Sequence, residues 1–275
     1  MDFLDAIILG IVEGLTEFLP VSSTGHLTIT EKLLGLSIDD PAVTAFTVVI
    51  QMGAIFAVIL YFRKDVVNIT AAWFRGIGDP SVRGGLDYRM GWYVIVGSIP
   101  IVIAGLAGES LITGALRNLW WVAGALIGWS VVMVLAEHYG TQERHEQDLT
   151  MRDSIFIGVI QIASLIPGIS RSGATISAGL FAGLDRVAAT RMSFFLSIPA
   201  LLGAGIKELP SAMNGDIPVS TTIVATVVSF IVAYAAVAWL LKFVAHHPIT
   251  WFVTYRVALA AILIGLLATG TIAPT

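Results

Sequence analysis

The sequence predicts an all-α polytopic membrane protein built as an inverted-topology repeat. Each half is expected to be a broken re-entrant helical hairpin plus three transmembrane helices, giving six full spans. Three observations predict this. Of 275 residues, 56% are hydrophobic and only 12% charged, with a mean hydropathy of +0.87, where a soluble domain carries about 25% charged residues. Six apolar runs are long enough to cross a bilayer, which takes about 20 helical residues. Two further apolar runs are interrupted by the breaks Pro20 to Gly25 and Pro167 to Gly173.

Composition excludes several function classes. A net charge of −4 and fifteen basic residues without a long run give no footprint for nucleic acid. The absence of cysteine removes disulfides and thiolate metal sites. Asp2 and Asp5 stand where a cleaved leader needs positive charge, and Glu13 and Glu17 interrupt its apolar run, so mature sequence is expected there.

The first repeat is expected over residues 1–138. Its hairpin, 3–36, holds two short segments on either side of Pro20 to Gly25, where proline removes a backbone donor and glycine tolerates unusual dihedrals. Spans of about 20 residues are predicted near 42–62, 92–112 and 119–136. Arg63 to Arg89 reads as a polar loop, and a tight turn falls near Asn118. After a charged linker from His138 to Arg152, the second repeat covers 139–275. Its hairpin, 154–184, breaks at Pro167 to Gly173, and spans follow near 190–206, 220–245 and 251–272.

The two halves share more than their order of elements. A shift of 148 positions carries Gly10 onto Gly158, Glu13 onto Gln161, Ser22 onto Ser170, Gly25 onto Gly173, Gly35 onto Gly183 and Phe46 onto Phe194. An odd number of complete crossings per half turns the second half upside down, the plan in which paired interrupted helices meet near the midplane. Basic residues orient the chain. With the Arg63 to Arg89 loop inside, the inner flanks collect Arg63, Lys64, Arg75, Arg83, Arg89, Arg144, Arg152, Arg186, Arg191 and Lys242. The outer flanks keep Lys32, Arg117 and Lys207. Both termini are then outside, the first hairpin dips from outside and the second from inside. Glu109 reads as an outer-interface residue, and Arg256 as snorkelling to the inner edge.

Ionisable groups in such a chain cost roughly 2.5–3.5 kcal/mol each at a helix centre and mark function. They concentrate in EGLTEFLPVSSTGH, Glu13 to His26. Glu13 and Glu17, four apart, share a helix face. Two such carboxylates suit a general base or a divalent metal site, or else an ordinary pair at a wet helix end. Ser22, Ser23 and Thr24 sit at the break, where free amides and hydroxyls bind phosphate oxygens or simply cap the next helix. His26 follows within reach of both. In the second break, Arg171 lies between Ser170 and Ser172 with Thr175 one turn on, a set suited to bidentate phosphate binding.

EGLTEFLPVSSTGH and PGISRSGAT closely resemble the two signature segments of the bacterial undecaprenyl-diphosphatase family, associated with bacitracin resistance, and the resemblance runs over nearly the whole chain. It implies hydrolysis of undecaprenyl diphosphate to the monophosphate carrier used in peptidoglycan assembly. Carried onto this sequence, the acidic motif falls on Glu13 and Glu17, the nucleophile region on Ser23 with His26, and the phosphate-binding arginine on Arg171. The resemblance also implies a divalent cation, Mg²⁺ or Ca²⁺, with Glu13 and Glu17 to hold it, and no organic cofactor. The expected partners are a polyprenyl diphosphate and membrane lipids, with a homodimer left open. The expected location is the bacterial cytoplasmic membrane, with the site opening to the outer, periplasmic side. Ser23 attacking with His26 as relay, His26 attacking directly, and attack by water all remain open. So does a rival from another class, a transporter of lipid phosphate or small anions, since broken inverted repeats also build transporters.

Overall fold

The computed structural model describes residues 1–108 and 118–274. Glu109 and Arg117, assigned above to the outer interface, lie outside the described residues. Eleven α-helices are present among those described, with one isolated backbone bridge, Arg144 to Leu184, as the extended pairing. In chain order they are α1 Phe3–Thr16, α2 Ser23–Leu33, α3 Pro41–Tyr61, α4 Arg63–Gly78, α5 Leu86–Ala107, α6 Leu119–Tyr139, α7 Met151–Gln161, α8 Arg171–Phe181, α9 Arg186–Asn214, α10 Val219–Val244 and α11 Thr250–Ala268. Short polar side chains start them. Asp2 with Asp5 and Thr150 with Asp153 form capping boxes on α1 and α7, while Asp40, Asn118 and Asp185 cap α3, α6 and α9.

Six helices, α3, α5, α6, α9, α10 and α11, are long and apolar enough to cross a membrane. Each overlaps a span expected from hydropathy. By contrast α1, with 14 residues, and α2, α7 and α8, with 11 each, are too short to cross singly, because the hydrocarbon core is about 30 Å thick and a helix rises 1.5 Å per residue.

Two expectations are corrected. The stretch expected to be a polar loop, Arg63 to Arg89, begins with α4 and continues through a 3-10 turn at Pro80–Val82. Its many charges mask a helical period. Val66 and Ile69 pack toward the core, and Trp73 meets Trp92 of α5 edge-on at 5.6 Å. Val67, Phe74 and Ile77 remain exposed. The second break is also displaced: a 3-10 turn at Ile162–Leu165 precedes it, and Arg171 is already the first residue of α8. Ser170 can cap that helix, which lets the helix begin earlier than the Gly-rich sequence suggested.

Glycines let these short helices approach the spans closely. A Cβ on Gly14 of α1 would stand 2.5 Å from Ser229 O of α10, and one on Gly158 of α7 would stand 2.2 Å from Gly97 O of α5. Small residues at such crossings are how helices associate where no water drives them together. Helix α1 therefore packs against α10, and α7 against α5. The breaks have matching backbones too. Ser22 and Ser170 take φ of 75° and 78°, and each accepts from the amide three residues on, Gly25 N at 3.3 Å and Gly173 N at 3.1 Å. Non-glycine residues hold such angles at a cost of about 1–3 kcal/mol.

Between the halves, Phe18 meets Phe194 edge-on at 5.2 Å. At one end of the bundle, Arg191 of α9 ties Asp65 of α4 (3.0 Å) to Glu146 of the linker (2.6 Å). Arg144 holds Asp153 at 2.6 Å, and Arg186 pairs with Glu137. His145 lies 2.5 Å from Asp185; that hydrogen bond and the carboxylate's charge hold the imidazole above the usual histidine range.

Candidate active site

Both breaks open on one cavity of about 700 Å³, floored by Glu17, Ser22, Ser23, Thr24, Ser170 and Arg171. Glu17, just past the end of α1, is buried, and both of its oxygens are engaged. Oε1 accepts from Arg171 Nη2 at 3.0 Å, and Oε2 accepts from Ser23 Oγ at 2.5 Å. Arg171 also donates from Nη1 to Ser193 O at 3.2 Å, and its guanidinium stands 5.8 Å from the Phe18 ring centroid. Its Nε is buried and has no partner among the described residues, a donor left over beside the cavity floor.

The remaining hydroxyls serve mainly to build the tips. Ser22 Oγ accepts from Gly25 N and, across the halves, from Gly168 N at 3.1 Å. Ser172 Oγ donates to Leu19 O at 2.8 Å, so Ser170, 3.0 Å away, supplies the proton between those two hydroxyls. Thr175 Oγ1 lies 2.8 Å from Arg171 O and 2.7 Å from Ser193 Oγ, inside the packing of α8 on α9. Thr24 lines the cavity.

His26 turns away from the cavity. Its Nδ1 is 2.7 Å from Ser22 O and its Nε2 is 2.6 Å from the Tyr255 hydroxyl, with the two rings stacked at 5.5 Å. A carbonyl only accepts, so Nδ1 carries a proton, and the neutral ring then accepts from Tyr255 at Nε2. The hydroxyl proton of Ser23 points to Glu17 instead.

Glu13 lies one turn before Glu17, fully buried, with neither carboxylate oxygen hydrogen-bonded. Gln161, its counterpart under the shift of 148, is likewise buried with both amide atoms unpartnered. Among the described residues no group of three or more His, Asp or Glu side chains gathers into a metal cage. Two carboxylates at this spacing match in number what an Mg²⁺-like ion uses beside substrate phosphate oxygens, with Glu17 giving up its contact to Arg171 or Ser23 and Glu13 lying behind the cavity lining. The orphaned carboxylate of Glu13 next to Glu17 is the observation behind that match.

Arg256 corrects an expectation. It is fully buried instead of snorkelling, and its guanidinium joins the two breaks from behind. It donates to Pro20 O at 3.1 Å and Gly168 O at 2.9 Å, one carbonyl from each break, and also to Ser130 Oγ at 3.1 Å and Leu126 O at 3.2 Å. Broken helices free carbonyls that need donors inside a lipid-facing fold. Sequence reasoning missed this role, although an arginine six residues into an apolar span was itself a signal.

Comparison with known proteins places the whole chain in one family. The family described as "Bacitracin resistance protein BacA" matches residues 6–262. The chain is 58% identical to a protein named undecaprenyl-diphosphatase 3 from Frankia casuarinae, over the full length of both. It is 53% identical to an undecaprenyl-diphosphatase from Acidothermus cellulolyticus and 50% identical to one from Mycolicibacterium smegmatis, each over 99% of both chains. With full-length similarity at this level and both polar segments folded onto one cavity, the chain belongs to the bacitracin resistance protein BacA family.

Proposed function

We propose that this multi-pass membrane protein is a phosphatase that hydrolyses undecaprenyl diphosphate to undecaprenyl phosphate and inorganic phosphate, recycling the lipid carrier for cell-wall synthesis. The observation that carries the reading is the contact set Arg171–Glu17–Ser23 at the floor of the cavity, a cation, a base and an alcohol in hydrogen-bonding contact. The family and the names of the relatives support the same chemistry.

The diphosphate enters between the N-termini of α2 and α8, whose first-turn amides favour anions. Arg171 moves its charge from Glu17 to the phosphoryl oxygens and adds its unpartnered Nε as a donor. Stabilising charge as it develops is the main lever in phosphoryl transfer. Ser23 Oγ then attacks the terminal phosphorus as Glu17 takes its proton, and the bond to the bridging oxygen breaks, releasing the lipid monophosphate. Glu17 passes that proton to the departing phosphate oxygen; water then hydrolyses the phosphoserine with Glu17 as base, and the proton taken from water goes back to Ser23 Oγ as inorganic phosphate leaves. Glu13 and Glu17 are the residues that would hold a divalent ion, which when bound would supply charge neutralisation. In this scheme His26 orients the α2 N-terminus through Ser22 O, and Ser22, Ser170, Ser172 and Thr175 hold the breaks in shape.

The inverted repeat, with halves 1–138 and 139–275 and two re-entrant hairpins, is part of the same reading. It is supported by the matched φ angles at Ser22 and Ser170 and at Gly35 and Gly183, and by the reciprocal packing of α1 on α10 and α7 on α5. The inner location of the α4 segment and the linker is supported by Arg191, which contacts both. The protein then sits in the bacterial cytoplasmic membrane with its site opening outward. Phosphate release from undecaprenyl diphosphate by purified protein, with and without chelator, tests the activity. Binding without release would turn the reading to transport.

A further inference from the structure

The cavity is larger on its apolar side than a diphosphate needs, and the shape of that side is informative. Helices α5 and α9 touch at Gly97 and Leu196, where a Cβ on Gly97 would come within 2.8 Å of Leu196 Cδ2. Just beyond that contact each helix carries a proline, Pro100 in α5 and Pro199 in α9, the residue at which helices most often bend. Farther along the same direction, Gly105 and Gly203 both line the cavity. Among the described residues, a Cβ on Gly105 would meet Leu165 Cδ2 alone, at 3.9 Å, and one on Gly203 would meet nothing within 4 Å. The two helices touch at one level and leave open space at these glycines about two turns on, roughly 10–12 Å along the axis.

The open stretch reaches the outside of the bundle. Val102 and Leu106 line the cavity and yet are 46% and 64% exposed, and the neighbouring Ile103 is 62% exposed. The α5 side of this wall is hydrocarbon, while on α9 Lys207 and Glu208, about one turn past Gly203, also line the cavity. Glycine is a costly choice in a helix interior, by about 1 kcal/mol against alanine, and at Gly203 no neighbouring backbone requires it. What both positions do keep is open width.

We propose that the gap between α5 and α9 beyond Pro100 and Pro199 is a lateral portal for a polyisoprenoid chain, with Gly105 and Gly203 setting its width. This rests on the phosphatase reading and adds where the tail goes. A cavity of about 700 Å³ is the size that accepts a compact ligand, typically 300–1,000 Å³, so it takes the diphosphate and the first isoprene units. An undecaprenyl tail, with eleven units, must leave it, and the portal leads directly into the bilayer. The headgroup then reaches Arg171 without the tail leaving hydrocarbon.

The test narrows the portal and compares two substrates. Gly203→Trp and Gly105→Leu are assayed on undecaprenyl diphosphate and on dimethylallyl diphosphate, whose single isoprene unit ends inside the cavity. Gly124→Trp serves as the control, since Gly124 on α6 is exposed, has nothing within 4 Å of its Cβ position and does not line the cavity. The expected result is a kcat/KM loss of about tenfold or more on the long substrate, carried by KM, with less than about a twofold change on the short one. The Gly124 variant should match wild type on both. Equal losses on both substrates, or unchanged KM for the long one, would overturn the portal. A wild type that releases phosphate from neither substrate overturns the phosphatase reading, and the portal with it.

Discussion

Arg171 Nη2 donates to Glu17 Oε1 across 3.0 Å, joining two residues 154 positions apart with both side chains under 10% exposed. Breaking a buried pair by removing one partner leaves an uncompensated charge, at about 3–5 kcal/mol. Arg171→Ala is therefore expected to lose phosphate release by about a thousandfold, on the scale of removing a transition-state donor, and also to melt earlier than wild type. Arg171→Lys should recover part of the melting temperature but little of kcat, because an ammonium lacks the planar fork of donors. Activity retained in Arg171→Ala would remove the phosphate clamp.

Ser23 and Ser22 are neighbours with opposite expected behaviour. Ser23→Ala should abolish turnover with little change in melting, since its hydroxyl serves Glu17 alone among the contacts seen. Ser22→Ala should lower stability by about 1–2 kcal/mol as a lost cap, because it also leaves Gly168 N without its acceptor. Mass analysis of rapidly quenched enzyme should find phosphate on Ser23. Phosphate on His26 would eliminate the serine route, and no adduct would point to attack by water.

Glu17→Gln removes the base and the counter-charge of Arg171 together, so activity should vanish. Glu13→Gln should be milder, within about tenfold of wild type, because the position that the 148-residue shift aligns with it already holds an amide, Gln161. Dependence of that variant on added Mg²⁺ should weaken if Glu13 helps hold the ion. If Glu13→Gln is the more damaging of the two, the roles of the pair are reversed.

Arg256→Met should separate the two breaks. Both Pro20 O and Gly168 O lose their shared donor, and each unpaired buried acceptor costs about 1–3 kcal/mol. The expectation is a lower melting temperature together with a lower kcat, both partly restored by lysine. A kcat unchanged in Arg256→Met would show that the tips hold their register without it.

The His145–Asp185 contact predicts a pH effect on stability that is separate from catalysis. The folded state raises the histidine, through the Asp185 hydrogen bond first and its charge second. A raised group stabilises fully below its unfolded value, about 6.5, and loses that contribution as pH climbs through the folded value. Wild type should therefore out-melt His145→Gln at pH 5.5, with the difference closing above neutrality. A difference that grows with pH contradicts the assignment.

Composition and span length alone determined the class of this protein. The six spanning helices follow from runs of hydrocarbon that have no other low-energy environment, and the two breaks follow from proline and glycine within apolar segments. The polar segments around Glu17 and Arg171 were equally legible, because charge in lipid is too costly to be incidental. Which hydroxyl meets which carboxylate was decided only in three dimensions. Helix rotation turned Ser23 toward Glu17 and His26 toward Tyr255, although both belong to the first turn of α2. Arg256 behind the breaks and the gap beside Gly203 were also beyond sequence. They depend on carbonyls and open space contributed by distant segments, and no local pattern of residues records where those segments come to rest.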